Sequence, residues 1–229
     1  MSMIAWDVQR ANQFMLEAHL LSQTSFSSME ELVHVLRAAA DRADLSIEPR
    51  IFRAVQQVDR RNFGASYVMN AESAPKEQTC SAPYIHLLCA AVLSKALPAN
   101  ARILEIGSGT GIMAAVLART FRQGQVISCD RHIELVKQAK ENCKQLKNLE
   151  IMHVKSKQIF PLLALAPFDA LLISAQATKQ GIAYLLPLLH ENSILLFPEI
   201  VGMDSQLRLY DAKLKQTLPL ADVSFVSLV

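Results

Sequence analysis

An α/β fold is the architecture this sequence predicts, and three observations carry it. From residue 101 onward, short apolar runs alternate with stretches of helical spacing. The first of those runs ends in the glycine-rich turn Gly107-Ser108-Gly109-Thr110-Gly111. Residues 168–174 are strongly apolar, as a central strand of a parallel sheet is when helices cover both of its faces. Strands separated by helices join in parallel through right-handed crossovers, so the pattern predicts an open sheet with helices on both faces.

Ahead of the sheet, residues 8–22 and 29–40 place apolar side chains at helical spacing: Phe14, Ala18 and Leu21, then Leu32, Val33 and Leu36. Ser28 followed by Glu31 reads as a capping box for the second helix. Pro49 opens a third helix through Val58, since a first-turn residue needs no N–H, and Phe52, Val55 and Val58 turn toward a core. Residues 1–60 are therefore expected as an N-terminal helical extension packed on a main domain of residues 61–229. Residues 62–80 carry Gly64, Asn70, Ser73 and Pro75 and read as an irregular connection with a short extended piece at 67–69. Its length suits a segment that covers a site. Ser81 is a candidate cap for the next helix, with Pro83 in its first turn.

The alternation then runs through a strand at 102–106, the glycine turn and a helix to Arg119. A strand at 125–129, a helix at 133–145 and strands at 149–154 and 168–174 follow. A helix at 182–189, a strand at 194–197 and closing strands at 207–214 and 223–226 complete it.

The composition narrows the partners. With 23 Lys+Arg against 21 Asp+Glu the net charge is +2, and no basic stripe suited to a phosphate backbone is present, so no nucleic-acid partner is expected. Residues 137–147 are rich in lysine but interrupted by Glu141 and Asn142, as a solvated helix face is. The uncharged segment 82–94 is too short to span a bilayer and reads as a buried helix, so no membrane partner is expected. Cys80, Cys89, Cys129 and Cys143 lack zinc-like spacing; no metal site and no structural disulfide are expected, and the chain reads as intracellular. Asp7 and Arg10 break the only early apolar stretch, which argues against a secretory signal.

The turn after the first strand carries the chemistry. Its glycines allow positive φ and remove side chains where backbone approaches a ligand. The strand delivers it to the carboxyl edge of the sheet, where open α/β proteins bind ligands. The spacing GxGxG is shorter than the dinucleotide fingerprint, which disfavours NAD. Asp130, just past the second strand, has a carboxylate able to accept from ribose hydroxyls or to cap the following helix.

Taken with Val58-Asp59-Arg60, Phe63, Thr79-Cys80-Ser81-Ala82-Pro83-Tyr84-Ile85-His86, Ala114 to Ala118, Ala166-Pro167-Phe168-Asp169-Ala170 and Phe225-Val226, the segment Leu104 to Gly111 resembles class I S-adenosylmethionine-dependent methyltransferases. In particular it resembles the protein-L-isoaspartate O-methyltransferase family, over roughly residues 50–229. The Ser-Ala-Pro segment is more specific than the glycine loop. The resemblance implies a Rossmann-like three-layer αβα sandwich around a mostly parallel seven-stranded sheet with an antiparallel C-terminal element. It also implies a cytoplasmic repair enzyme that uses S-adenosyl-L-methionine to methylate the α-carboxyl of isoaspartyl residues in damaged proteins or peptides. Glu105, Gly107, Ser108, Gly109 and Gly111 would then face the methionine part of the cofactor and Asp130 its ribose. Ser81 would orient the carboxylate, with Thr79, Ala82, Pro83 and His86 on the substrate side.

Three departures stand out. Where the family has Gly-Asp-Gly after the third strand, this chain has Val154-Lys155-Ser156, and Lys155, at the adenine side, cannot accept the hydrogen bond an aspartate would. Residues 64–80 lack the regular Val-Pro and Tyr-x-Asp elements, and Asn192-Ser193 replaces a Gly-Gly turn. The residues also leave open a methyltransferase for another acceptor, and a noncatalytic binding protein on this fold. Oligomeric state is not legible.

Overall fold

The computed structural model describes residues 6–21, 24–74, 78–155, 160–175, 177–201 and 204–223. The chain opens with helices α1 (Val8–His19), α2 (Met29–Arg42) and α3 (Pro49–Gln56). A 3₁₀ turn at Arg60–Phe63 leads to strands β1 (Glu72–Ala74) and β2 (Gln78–Cys80) and helix α4 (Pro83–Ala96). Next come β3 (Arg102–Ile106), α5 (Ile112–Thr120), β4 (Gln125–Asp130), α6 (Ile133–Cys143) and β5 (Leu149–His153). The chain finishes through α7 (Phe160–Leu163), β6 (Phe168–Ile173), α8 (Lys179–Leu185), β7 (Leu189–Val201), β8 (Asp204–Asp211) and β9 (Gln216–Val223).

Seven strands form one sheet in the order β5-β4-β3-β6-β7-β8-β9. The first five are parallel, while β8 and β9 return as antiparallel hairpins. This is the Rossmann-like arrangement, and it places the carboxyl ends of β3, β4 and β6 side by side where the order reverses. Alternation along the strands sorts the core. Ile103, Ala170, Leu172 and Leu196 pack under α1 to α6 on one face. Leu104, Leu171, Ile173 and Leu195 pack under α7 and α8 on the other.

Local chemistry explains most element ends. Ser28 Oγ accepts from Glu31 N–H at 3.2 Å, but the Glu31 carboxylate reaches back to the N–H and hydroxyl of Ser27 rather than to Ser28 itself. Pro49 sits at the start of α3 and Pro83 at the start of α4, as expected. The segment 82–94 is a buried helix interior, and the lysines of 137–147 are exposed.

The structure corrects four readings. Ser81 does not cap α4: the capping position is Ala82, with no side-chain bond. Residues 72–74 and 78–80 are not irregular, because Glu72 to Ala74 pair with Gln78 to Cys80 as antiparallel strands, and residues 75–77 lie outside the described residues. Within 67–69 only Val68 is paired, in a single bridge to Ser25. The last strand spans Gln216–Val223 rather than 223–226, of which 224–226 lie outside the described residues. Pro219 obscured it, since proline argues against a strand; here it lies on the edge strand, where the register shifts opposite Leu207 and Arg208.

α1 covers that edge. Trp6 Nε1 donates to Leu220 O at 3.2 Å, Asp222 N–H donates to Asn12 Oδ1 at 2.9 Å, and Asn12 Nδ2 donates to Asp222 Oδ2 at 2.8 Å. Phe14 and Ala18 of the same helix are fully buried in the core that also holds α2 and α3. Among the described residues no helix is long and apolar enough to cross a membrane.

Candidate active site

The glycine turn is held from beneath by β4. Gly107 N–H and Ser108 N–H both donate to Cys129 O, at 2.8 and 3.0 Å, and Gly111 N–H closes back onto Ser108 O at 2.8 Å. Gly107, Gly109 and Gly111 all take positive φ, a conformation that only glycine adopts without cost. Their surroundings differ. A side chain at Gly111 would meet Cys143 Sγ at 3.0 Å and Ala139 Cβ at 3.2 Å, so this glycine lets α6 pack closely. A side chain at Gly109 would meet nothing within 4 Å, so this glycine faces open space. Beside it, Ser108 is buried with an Oγ that has no hydrogen-bond partner.

Glu105 stands at the head of the turn and is fully buried. Ser128 Oγ, from β4, donates to its Oε2 at 2.6 Å, and Ser174 Oγ, just past β6, donates to its Oε1 at 2.9 Å. Burial pushes its carboxyl up to about 7; the two serine hydrogen bonds oppose that rise, and the Asp130 charge adds to it. A buried carboxyl poised near neutrality beside an orphaned hydroxyl and an open backbone cradle suits a cationic, hydrogen-bonding ligand group. The residues therefore fit the aminoacid end of S-adenosylmethionine.

Asp130 lies at the end of β4. Its Oδ2 accepts from Gly109 N–H and its Oδ1 from His132 N–H, each at 2.9 Å. The N-cap of α6 is His132, without a side-chain cap bond, so Asp130 does not cap the following helix as considered from sequence; its carboxylate instead ties β4 to the glycine turn. Val154 N–H donates to Asp130 O, so Lys155 emerges next to this edge, with an exposed side chain.

Ser81 joins two cavities. The inner one is lined by Glu105, Gly107, Ser108, Gly109, His86 and Ser174, among others. The outer one is a cleft of about 620 Å³ between α1, the start of α4 and β9. Thr79, Ser81, Ile85 and Ser174 line both, so they frame the passage between them. Ala82 lines the outer cleft, while Pro83 is buried at the head of α4. His86 falls on the inner side only. Burial, aided by the Arg60 charge, depresses it to about 3, so it is a neutral ring at physiological pH and a poor base.

The Ser81 segment has a clamp whose function sequence reading did not find. Arg60, only 2% exposed, donates to Ser66 O at 3.0 Å and Ser81 O at 3.2 Å, and pairs with Glu72 at 3.2 Å. Glu72 in turn accepts from Ser66 N–H at 2.8 Å. One guanidinium thus ties the 3₁₀ turn, the β1–β2 hairpin and Ser81 together. The signal was present in the Asp59-Arg60 motif, but the partners lie 6 to 21 residues away. The thiol of Cys80 is pushed up by burial, which disfavours its thiolate.

Sheet order, glycine turn and carboxyl-edge cavity together define a class I S-adenosylmethionine-dependent methyltransferase. The family model for protein-L-isoaspartate(D-aspartate) O-methyltransferase matches residues 27–229. The chain belongs to that family. It is 34% identical over 166 residues to the protein-L-isoaspartate O-methyltransferase of Vibrio cholerae, an alignment covering 69% of this chain and 76% of the relative. To that of Ruegeria pomeroyi it is 30% identical over 159 residues, covering 66% and 71%. Among solved structures it is similar to a Plasmodium falciparum protein described as a protein-L-isoaspartate O-methyltransferase in complex with S-adenosyl-L-homocysteine. The TM-score is 0.78 at 26% identity, covering 89% of this chain and 99% of the other.

Proposed function

We propose that the chain transfers the methyl group of S-adenosyl-L-methionine to the carboxyl group of isoaspartyl residues in damaged, cytoplasmic proteins. The observation that carries this is the set Thr79, Ser81, Ile85 and Ser174, which lines both the recess beside the glycine turn and the open cleft beyond it. Residues 61–229 act as the methyltransferase domain, and residues 1–60 as a helical extension packed on it.

The cofactor, when bound, supplies a methyl group already activated on a sulfonium. The rest of the work is binding and alignment. Glu105, as carboxylate, holds the ammonium of the methionine part, with Ser108 Oγ and the backbone at Gly107 and Gly109 beside it. Gly111 shapes the turn from behind. Asp130 retains lone pairs for ribose hydroxyls while it fixes Gly109. Lys155 stands toward the adenine side and offers a donor where an acceptor would serve. On the other side Ser81 Oγ, free of any capping duty, orients the acceptor carboxylate, with Thr79 and Ala82 shaping the approach and Pro83 buried at the head of α4. His86 fills the inner wall and takes no proton. The carboxylate is a sufficient nucleophile without a base.

Methylation of matched isoaspartyl and aspartyl peptides tests the activity: only the isoaspartyl peptide is expected to accept methyl, and equal rates would overturn the assignment. Ser81→Ala should lower kcat by at least about tenfold while leaving S-adenosylhomocysteine affinity nearly unchanged by calorimetry. A parallel loss of both would place Ser81 in the fold rather than in acceptor alignment.

A further inference from the structure

The outer cleft has a wall that the matched family residues do not include. The family model begins at residue 27, yet Met15, Leu16 and His19 of α1 line the same cleft as Ser81, Ile85 and Val223. Leu16 is 52% exposed, and Leu20, one turn further on, is 71% exposed. Leu16, half exposed on a helix whose other face is packed, leaves unsatisfied apolar surface in the cleft. The helix itself is fixed, because Ala11, Phe14 and Ala18 are fully buried and Asn12 is bonded to β9. Among the described residues that line the cleft there is no Lys or Arg, and the carboxylate of Asp222 is hydrogen-bonded by Asn12 and Gln206.

We infer that α1 is the specificity-determining wall of the acceptor site: Met15 and Leu16 read the side chain next to the isoaspartyl residue and select for an apolar one. The occupant is an extended peptide segment of a damaged protein. Its reacting carboxyl reaches the passage at Ser81, and its apolar neighbour lies against α1. The inference rests on the methyl-transfer reading above and adds a preference that the matched family residues do not encode.

The test compares two isoaspartyl hexapeptides that differ only in carrying Leu or Asn beside the isoaspartyl residue, with the full chain at saturating S-adenosylmethionine. The Leu peptide is expected to show a kcat/KM about tenfold higher. Leu16→Asn, at a half-exposed position, should bring the ratio close to unity without changing S-adenosylhomocysteine affinity, and Met15→Gln should act in the same direction. Equal kcat/KM for both peptides in the parent chain, or a preference that survives both substitutions, would overturn the role of α1 and leave the activity standing. No turnover of either peptide, with S-adenosylhomocysteine still bound, would instead remove the activity reading and this inference with it.

Discussion

Glu105 holds its proton up to about pH 7 in the folded chain, against an ordinary value of 4.5. Between those two values the folded state keeps a proton that the unfolded state has released. Its contribution to stability is therefore complete below pH 4.5 and is lost as pH rises through 7, by about 3 kcal/mol in all. Urea unfolding across this window should show the decline, and Glu105→Gln should flatten it. Binding reads the same group in the opposite sense. A ligand ammonium needs the carboxylate, so S-adenosylhomocysteine affinity should rise with pH below about 7, approaching tenfold per pH unit, and lose that slope in Glu105→Gln. The glycines separate in a similar way. Gly111→Ala forces a Cβ to within 3.0 Å of Cys143 Sγ and should lower stability by about 1–3 kcal/mol. Gly109→Ala meets no neighbour but carries the backbone strain of a positive φ, so it should cost less stability than Gly111→Ala while weakening S-adenosylhomocysteine binding. The sequence announced Glu105 and the three glycines, because a strand followed by GxGxG is a local pattern. It did not announce Ser128 and Ser174, which arrive from strands 23 and 69 residues away.

At the scale of elements, the β1–β2 hairpin and the Ser81 segment are tied to each other through Arg60. Arg60→Met would leave Glu72 facing a hydrocarbon chain, and the loss of one partner from a largely buried pair costs about 3 kcal/mol. The expected result is a lower urea midpoint together with a kcat decrease larger than any change in S-adenosylhomocysteine affinity. A kcat unchanged in the folded variant would show that Ser81 holds its place without the clamp. The longer helices and the parallel strands were legible from periodicity, since each buries a regular apolar face, whereas the single turn of α7 was not, and the helix expected at 182–189 lies at Lys179–Leu185. The hairpin was not, because its three-residue strands are too short to show alternation and Ser73 and Pro75 read as a loop. β9 was hidden by Pro219, and only the edge position and register shift that accommodate a proline explain it.

For the whole molecule, α1 is both closure and surface. Removing residues 1–22 would uncover the core against Phe14 and Ala18 and strip Leu220 O and Asp222 N–H of their partners on the edge strand. A lower Tm and concentration-dependent association in light scattering are the expected consequences, since an unprotected edge recruits further strands. A truncated chain that stays monomeric with an unchanged Tm would assign the edge protection elsewhere. The passage at Ser81 has a consequence of a different kind. Methyl transfer from a sulfonium to a carboxylate begins with two opposite charges and ends with none, so water, which stabilises separated ions, slows it. Among the described lining residues of both cavities there is no lysine or arginine, and Arg60, which reaches the backbone of Ser81, is already matched by Glu72. Among the described lining residues an incoming carboxylate thus meets no lysine or arginine side chain to compete with the charge on the donor sulfur.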